Sequence, residues 1–189
     1  MANKNLFIVV EGQDGSGKST IAKILSDRLN GLFYQTPSGY YRQIRELVDK
    51  NADVIEHFLF YLAVIRYASQ QIRDILQQRT VVCDRYFYST FAYHRALEVG
   101  VEINIDQLQL VMPDYIFYLQ ISPETQTQRL CQKGDSKTFG DDWMVQQNIF
   151  TRLDQEFNKF PIHVVCAEHR EPIQIADEIV KIIQKGETT

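Results

Sequence analysis

Cysteine is scarce in this chain. Cys83, Cys131 and Cys166 are the three present, an odd number with no CxxC pair. That argues against a disulfide framework or a paired-cysteine zinc site and points to a reducing, cytoplasmic setting. Cys83 and Cys166 sit in apolar runs and read as small buried hydrophobes. Positive charge is in deficit: 20 Lys and Arg against 24 Asp and Glu leave a net charge of −4. A nucleic-acid partner is therefore not expected, because such domains are strongly basic. No stretch approaches the ~18 apolar residues of a membrane span. Residues Met1 to Asn5 are too short and polar for a signal peptide. Internal repeats and low-complexity tracts are absent.

What is present is an ordinary globular composition, 44% hydrophobic and 23% charged over 189 residues, which fits one domain across residues 1–189. Five short apolar runs read as strands: Leu6 to Val10, Leu32 to Tyr34, Thr80 to Cys83, Ile116 to Ile121 and His163 to Ala167. They are nearly continuous rather than alternating, which suits strands covered on both faces. Helical spacing lies between them. Ile21, Ile24, Leu25 and Leu29 form a stripe over residues 18–30, stopped by Gly31. Ala52 to Gln78 reads as one or two helices. Ile105 to Val111, Val145 to Asn158 and Ile173 to Gln184 complete the set. Alternation of strand and helix predicts an α/β fold with a parallel sheet.

The first strand runs into Gly12-Gln13-Asp14-Gly15-Ser16-Gly17-Lys18-Ser19, followed by Thr20. This is the G-x-x-x-x-G-K-[ST] phosphate loop, with strand before and helix after. Gly12, Gly15 and Gly17 let successive N–H groups, with those of Ser16, Ser19 and Thr20, turn toward one anion. The helix that follows points its positive end the same way. Lys18 is expected on the β- and γ-phosphates of ATP, and the Ser19 hydroxyl on Mg²⁺. A second signal is Thr80 to Tyr86, an apolar strand ending in Asp84-Arg85. A carboxylate at the C-terminal edge of a parallel sheet is placed to help hold Mg²⁺, and Arg85 to grip a second anion. A GTPase switch would need N-K-x-D. Neither Asn3-Lys4 nor Asn158-Lys159 carries the Asp.

The acceptor follows from a chemical contrast. A sugar hydroxyl needs a general base, whereas a nucleotide phosphate is already largely ionised near neutral pH. The second strand is followed by Gln35-Thr36-Pro37-Ser38, with no carboxylate, and by Arg42, Arg45, Arg66 and Arg85 further along the chain. Arg42 and Arg45 read as surface residues before ligands. The set favours a monophosphate acceptor, although Asp14 could serve as a base.

Nearly the whole chain resembles the thymidylate kinases, a family of nucleoside monophosphate kinases. Glu11 to Thr20 match E-G-x-D-G-x-G-K-[ST]-T. Asp84, Arg85, Tyr86, Ser89, Ala92 and Tyr93 match D-R-[YFH]-x-x-S-x-x-A-Y. Pro113-Asp114 and Pro123-Glu124 through Arg129-Leu130 match the later P-D and P-E-x-x-x-x-R-[LI] segments. The resemblance implies a three-layer P-loop NTPase fold, with a five-stranded parallel sheet in the order 2-3-1-4-5 and a mobile lid near residues 132–142. It implies that Asp14 contacts the acceptor sugar and Arg85 the acceptor phosphate. Arg66 would contact phosphate and base, Ser89 and Tyr93 would line base and sugar, and Arg129 would lie against the donor adenine. Gly15 stands where some members have an Arg, so Lys133 and Lys137 of the lid would supply the charge around the transferred phosphoryl. A homodimer packed through helices is implied as well.

The match has departures. Thr36-Pro37-Ser38-Gly39 replaces the family's T-R-E-P-G-G loop. Leu62 stands where a Phe one turn before Arg66 stacks on thymine, with Phe58, Phe60 or Tyr61 as substitutes. His94 stands where Gln or a small residue is usual. The expected function is ATP- and Mg²⁺-dependent phosphorylation of a nucleoside monophosphate, dTMP first. A deoxynucleoside kinase, a kinase for another phosphorylated acceptor and a kinase-like binding protein stay open.

Overall fold

The computed structural model describes residues 4–132 and 149–186. Lys133 and Lys137, with most of the expected lid, lie outside the described residues. The strands are β1 (Phe7–Gly12), β2 (Leu32–Gln35), β3 (Val81–Asp84), β4 (Tyr115–Gln120) and β5 (His163–Cys166). They form one sheet in the order β2-β3-β1-β4-β5, and every neighbouring pair is parallel. The helices are α1 (Lys18–Arg28), α2 (Tyr40–Asn51), α3 (Val54–Leu76), α4 (Phe87–Ala96), α5 (Pro123–Gln132), α6 (Phe150–Phe157) and α7 (Pro172–Lys185).

Two apolar layers sandwich the sheet, and strand alternation assigns residues between them. Phe7 and Val9 of β1 pack with Phe58, Leu62, Ile65 and Ile72 of α3, Phe87 and Phe91 of α4, and Leu153 and Phe157 of α6. Ile8 and Val10 point the other way, against Ile21 and Leu25 of α1 and Ile175 and Ile179 of α7. Phe7 to Val10 of β1, Val81 to Cys83 of β3 and Tyr115 to Leu119 of β4 are therefore continuously apolar, and polar residues stand only at the C-terminal ends of these strands. The edge strand β5 behaves differently: only Val165 is buried along it. Cys166 is exposed, against the expectation that it is buried, because it alternates outward on an uncovered edge. Cys83, on the central β3, is buried as expected.

Chain punctuation decides where helices begin. Asp53 caps α3 by accepting from the N–H groups of Ile55 and Glu56, and Glu56 accepts in return from the Asp53 N–H. The region from residue 52 is thus one helix of 23 residues. The predicted helix at Ile105 to Val111 shrinks to a 3-10 turn, Ile105–Leu108, because Gln109 takes a left-handed conformation with φ 48°. β1 and β3 both end on the same edge, with Val10 paired to Asp84, and Gln35 of β2 is also paired to Asp84. Gly12, Asp84 and Gln35 therefore meet at the C-terminal edge of the sheet, where α/β folds place ligands.

Candidate active site

A cleft of about 690 Å³ opens at that edge. The loop between β1 and α1 forms part of its wall. A Cβ at Gly12 would sit 2.6 Å from the Ser16 hydroxyl and 2.8 Å from the Leu119 carbonyl, so only glycine fits there. Gly17 ends the loop with φ 91°, and no side chain caps the start of α1. The first N–H groups of the helix are left for an outside acceptor. Lys18 is nearly buried. Its Nζ donates to the Gln13 carbonyl at 2.9 Å and lies 3.7 Å from Asp14 Oδ1. Burial pulls its pKa down to about 8, so a phosphate arriving beside it would favour the charged form. From α5, Arg129 Nη1 donates to the Gly15 carbonyl at 2.9 Å and Gln126 Nε2 to that of Asp14 at 3.0 Å. These bonds hold the loop against a second helix.

The β3 end supplies the opposite wall. The Ser19 hydroxyl donates to Asp84 Oδ2, and Gln35 Nε2 donates to the same oxygen at 3.0 Å. Next to it, Arg85 adopts φ 68°, an unusual conformation for a residue with a side chain. That turn sends its guanidinium into the cleft, where Nη2 is 2.5 Å from Asp14 Oδ1 and Nη1 donates to Ser89 Oγ at 3.0 Å. The guanidinium also lies over the Tyr93 ring, 5.5 Å from its centre. Beneath it, Glu11 is fully buried and accepts from the N–H groups of Tyr86 and Ser89 and from the Ser89 hydroxyl. Burial pushes Glu11 up to about 7 despite those bonds. Lys18, Asp14 and Arg85 thus form one row, with a carboxylate between two cations. An anion on either side would be met by a positive group held in place before it arrives.

The thymidylate kinase family model matches residues 10–179. The chain belongs to the thymidylate kinase family. A probable thymidylate kinase of Methanocaldococcus jannaschii is 35% identical over 164 residues, covering 82% of this chain and 84% of the relative. A thymidylate kinase of Brachyspira hyodysenteriae is 28% identical over 196 residues, covering 97% and 95%. The solved thymidylate kinase of Candida albicans superimposes with a TM-score of 0.77 at 25% identity, covering 97% of this chain and 93% of that one. Membership makes the chain a phosphotransferase.

Most of the predicted positions gather in the cleft. Asp14, Gly15, Gly17, Lys18, Ser19, Thr20, Asp84, Arg85, Ser89, Tyr93 and Arg129 line it, and Ser16 and Gly12 shape the loop behind them. Arg66 is not among the lining residues. It lies one turn after Leu62, on a stripe of α3 whose Leu62 is buried in the core. The stripe that faces the cleft is one residue earlier and carries His57 and Tyr61. Rotation by one residue moves a helical side chain about 100°, enough to exchange core for cleft. Arg66 Nη1 is buried there without a hydrogen-bond partner among the described residues. Arg45, Asp49, Thr36, Pro37, Thr90 and His94 line the cleft without having been predicted as ligands. Arg45 was legible only as one of four crowded arginines. Arg42 donates to Gln35 Oε1 at 2.6 Å and so stands behind the Asp84 edge.

The metal question can be put to the residues themselves. Among the described residues no group of three or more His, Cys, Asp or Glu side chains could hold a metal ion. Asp84 Oδ1 is nonetheless buried without a hydrogen-bond partner among the described residues, on the carboxylate whose other oxygen accepts from Ser19. One carboxylate and one hydroxyl, with the remaining ligands from phosphate and water, is the donor set Mg²⁺ takes in nucleotide sites. The residues fit that ion.

Proposed function

We propose that this chain transfers the γ-phosphoryl group of ATP to a nucleoside monophosphate, dTMP, yielding ADP and dTDP. The observation that carries this is the pairing of two cations, Lys18 and Arg85, across Asp14 in one cleft. One site fits the donor phosphates and the other an acceptor phosphate. In this reading the loop amides and Lys18 hold the β- and γ-phosphates, and Arg129 lies toward the adenine. Ser19 and Asp84 would hold Mg²⁺, which supplies charge neutralisation on the donor phosphates when bound. Arg85, braced by Asp14 and Ser89, orients the acceptor phosphate in line, and Tyr93 and Ser89 line the sugar and base. Lys133 and Lys137 are assigned to the lid from sequence alone. Asp14 is tied to Arg85 and Lys18, which suits a bracing carboxylate better than a general base for a nucleoside hydroxyl.

The reading extends to assembly and place. Ile44 and Leu47 of α2 and Ile55 and Leu59 of α3 are exposed, Leu47 at 66% and Leu59 at 51%. An apolar face on two adjacent helices supports a homodimer packed through them. Free cysteines support the cytoplasm, and no described helix is long and apolar enough to cross a membrane. The test is incubation with ATP, Mg²⁺ and each of dTMP, dUMP, dCMP, dGMP and UMP, with ADP as the readout. ADP should form fastest with dTMP. Turnover with thymidine but with no monophosphate would refute the reading.

A further inference from the structure

Three helices bring two histidines and a carboxylate into one hydrogen-bonded row inside the cleft. His94 on α4 has Nδ1 2.6 Å from the Thr90 carbonyl oxygen. Its Nε2 lies 3.1 Å from Nδ1 of His57 on α3. His57 Nε2 lies 3.3 Å from Oδ1 of Asp49 on α2. Asp49 also accepts from Arg45 Nε at 3.1 Å and from the Tyr61 hydroxyl at 3.3 Å. All six residues line the cleft.

Counting protons decides the charge of this row. Its two ends are acceptors, a carbonyl and a carboxylate, so a ring N–H must face each. The contact between the rings needs one more N–H. Three protons then sit on four ring nitrogens, whereas two neutral imidazoles carry two between them. With all three contacts made as hydrogen bonds, the row would hold one extra proton. His94 is 3% exposed and packs against Phe58 with ring centres 4.6 Å apart and the rings tilted by 34°. Burial holds its pKa down to about 4, so it stays neutral. The charge falls on His57, beside the Asp49 carboxylate. Burial works against Asp49 being ionised, yet the bonds from His57 and Arg45 hold it below its ordinary value.

Resting on the kinase reading above, we infer that His57 is a proton-dependent positioning residue for the acceptor. As an imidazolium it anchors Asp49, and Asp49 holds the Arg45 guanidinium and the Tyr61 ring in the acceptor part of the cleft. Without the extra proton one of the three contacts must give way: losing the Asp49 contact frees Asp49 directly, and losing the contact between the rings loosens the His57 ring that holds it, so that Arg45 and Tyr61 are held less firmly. Among the described residues, the charged and titratable groups around His57 include Asp49 and Arg45 from α2, Tyr61 from its own helix and His94 from α4. Arg85 is the next cation, close enough to repel Arg45. Lys18 and the phosphate loop are not members of the row, so donor binding is spared.

The experiment measures kcat and the KM values of dTMP and ATP from about pH 6 to about pH 9, the range in which histidine changes charge, for the wild type and His57→Gln. The acceptor phosphate itself titrates near pH 6, so the quantity read is the ratio of variant to wild-type acceptor KM. The ratio should be about tenfold at the acid end, the loss of one charge-assisted bond, and fall toward one at the alkaline end. The KM of ATP and kcat should stay within about twofold, since neither involves the row. His57→Lys, a cation across this range, should keep the acceptor KM low where the wild type loses it. A ratio that does not vary with pH, or an equal rise in the ATP KM, overturns the inference. The ring ¹⁵N signals of the wild-type protein provide a measurement that needs no variant. One ring doubly protonated near pH 6 with His94 neutral is expected, and two neutral rings there overturn the row. Turnover of no monophosphate refutes the kinase reading, and the acceptor role falls with it even if the ring signals show the extra proton. The two failures are thereby told apart.

Discussion

Replacing Glu11 with Gln tests the electrostatics of the floor under the acceptor site. Glu11 is fully buried, and burial outweighs three donated hydrogen bonds, lifting its pKa from an ordinary 4.5 to about 7. The folded protein therefore binds this proton more tightly than the unfolded chain does. Its contribution to stability is fully present below 4.5 and is lost as pH rises through about 7. Integrating between about pH 5 and about pH 8.5 gives a loss of about 2.5 kcal/mol. A glutamine cannot ionise, yet its amide oxygen can still accept from the Tyr86 N–H that Glu11 now accepts at 2.9 Å. Any fixed cost of the exchange is the same at both pH values and cancels. The assay is urea unfolding of both proteins, without nucleotide, at the two pH values. Wild-type stability should fall by about 2.5 kcal/mol relative to the variant on going from the acid to the alkaline condition. A difference that stays constant, or that moves in the wild type's favour at high pH, would show that the hydrogen bonds and Arg85 stabilise the carboxylate more than burial opposes it.

Three further outcomes bear on the site and the assembly. Lys18→Ala should lower kcat by about 10²–10³ while the protein still unfolds cooperatively, and retention of activity within tenfold would contradict its place on the transferred phosphate. Asp84→Asn keeps the shape but not the charge, so the Mg²⁺ concentration for half-maximal rate should rise about 10–100-fold; an unmoved titration curve would remove Asp84 from metal organisation. Leu47→Glu puts a charge on the exposed face of α2 and should convert a dimer to a monomer in sedimentation velocity, whereas a wild type that is already monomeric rejects that face as an interface.

The donor side of the cleft was legible in the sequence because its chemistry is carried by one stretch of backbone. From Gly12 to Thr20 the glycines, the lysine and the hydroxyl all act at fixed separations along the chain, and the strand before and helix after them leave the loop few other conformations. Asp84 and Arg85 were legible for a related reason, since a strand end in a parallel sheet has a known address. The acceptor side is built differently. It is assembled from side chains on α2, α3 and α4, so which residue reaches it depends on helix rotation, which tertiary packing decides. Leu62 and Arg66 have the spacing of a ligand stripe, but Phe58, Leu62 and Ile65 win the core because they bury apolar surface, and this turns His57 and Tyr61 into the cleft. α2 escaped notice although Ile44, Leu47 and Val48 carry helical spacing, because none of its residues is buried and it adds little to a pattern read for core faces. The row from Asp49 to Thr90 was harder still. His57 and His94 are 37 residues apart, and each alone reads as an ordinary core or surface histidine. Only the distance between their rings reveals an extra proton. Backbone-encoded chemistry can thus be read from one segment, while chemistry encoded in helix rotation appears only after the core has chosen which faces turn inward.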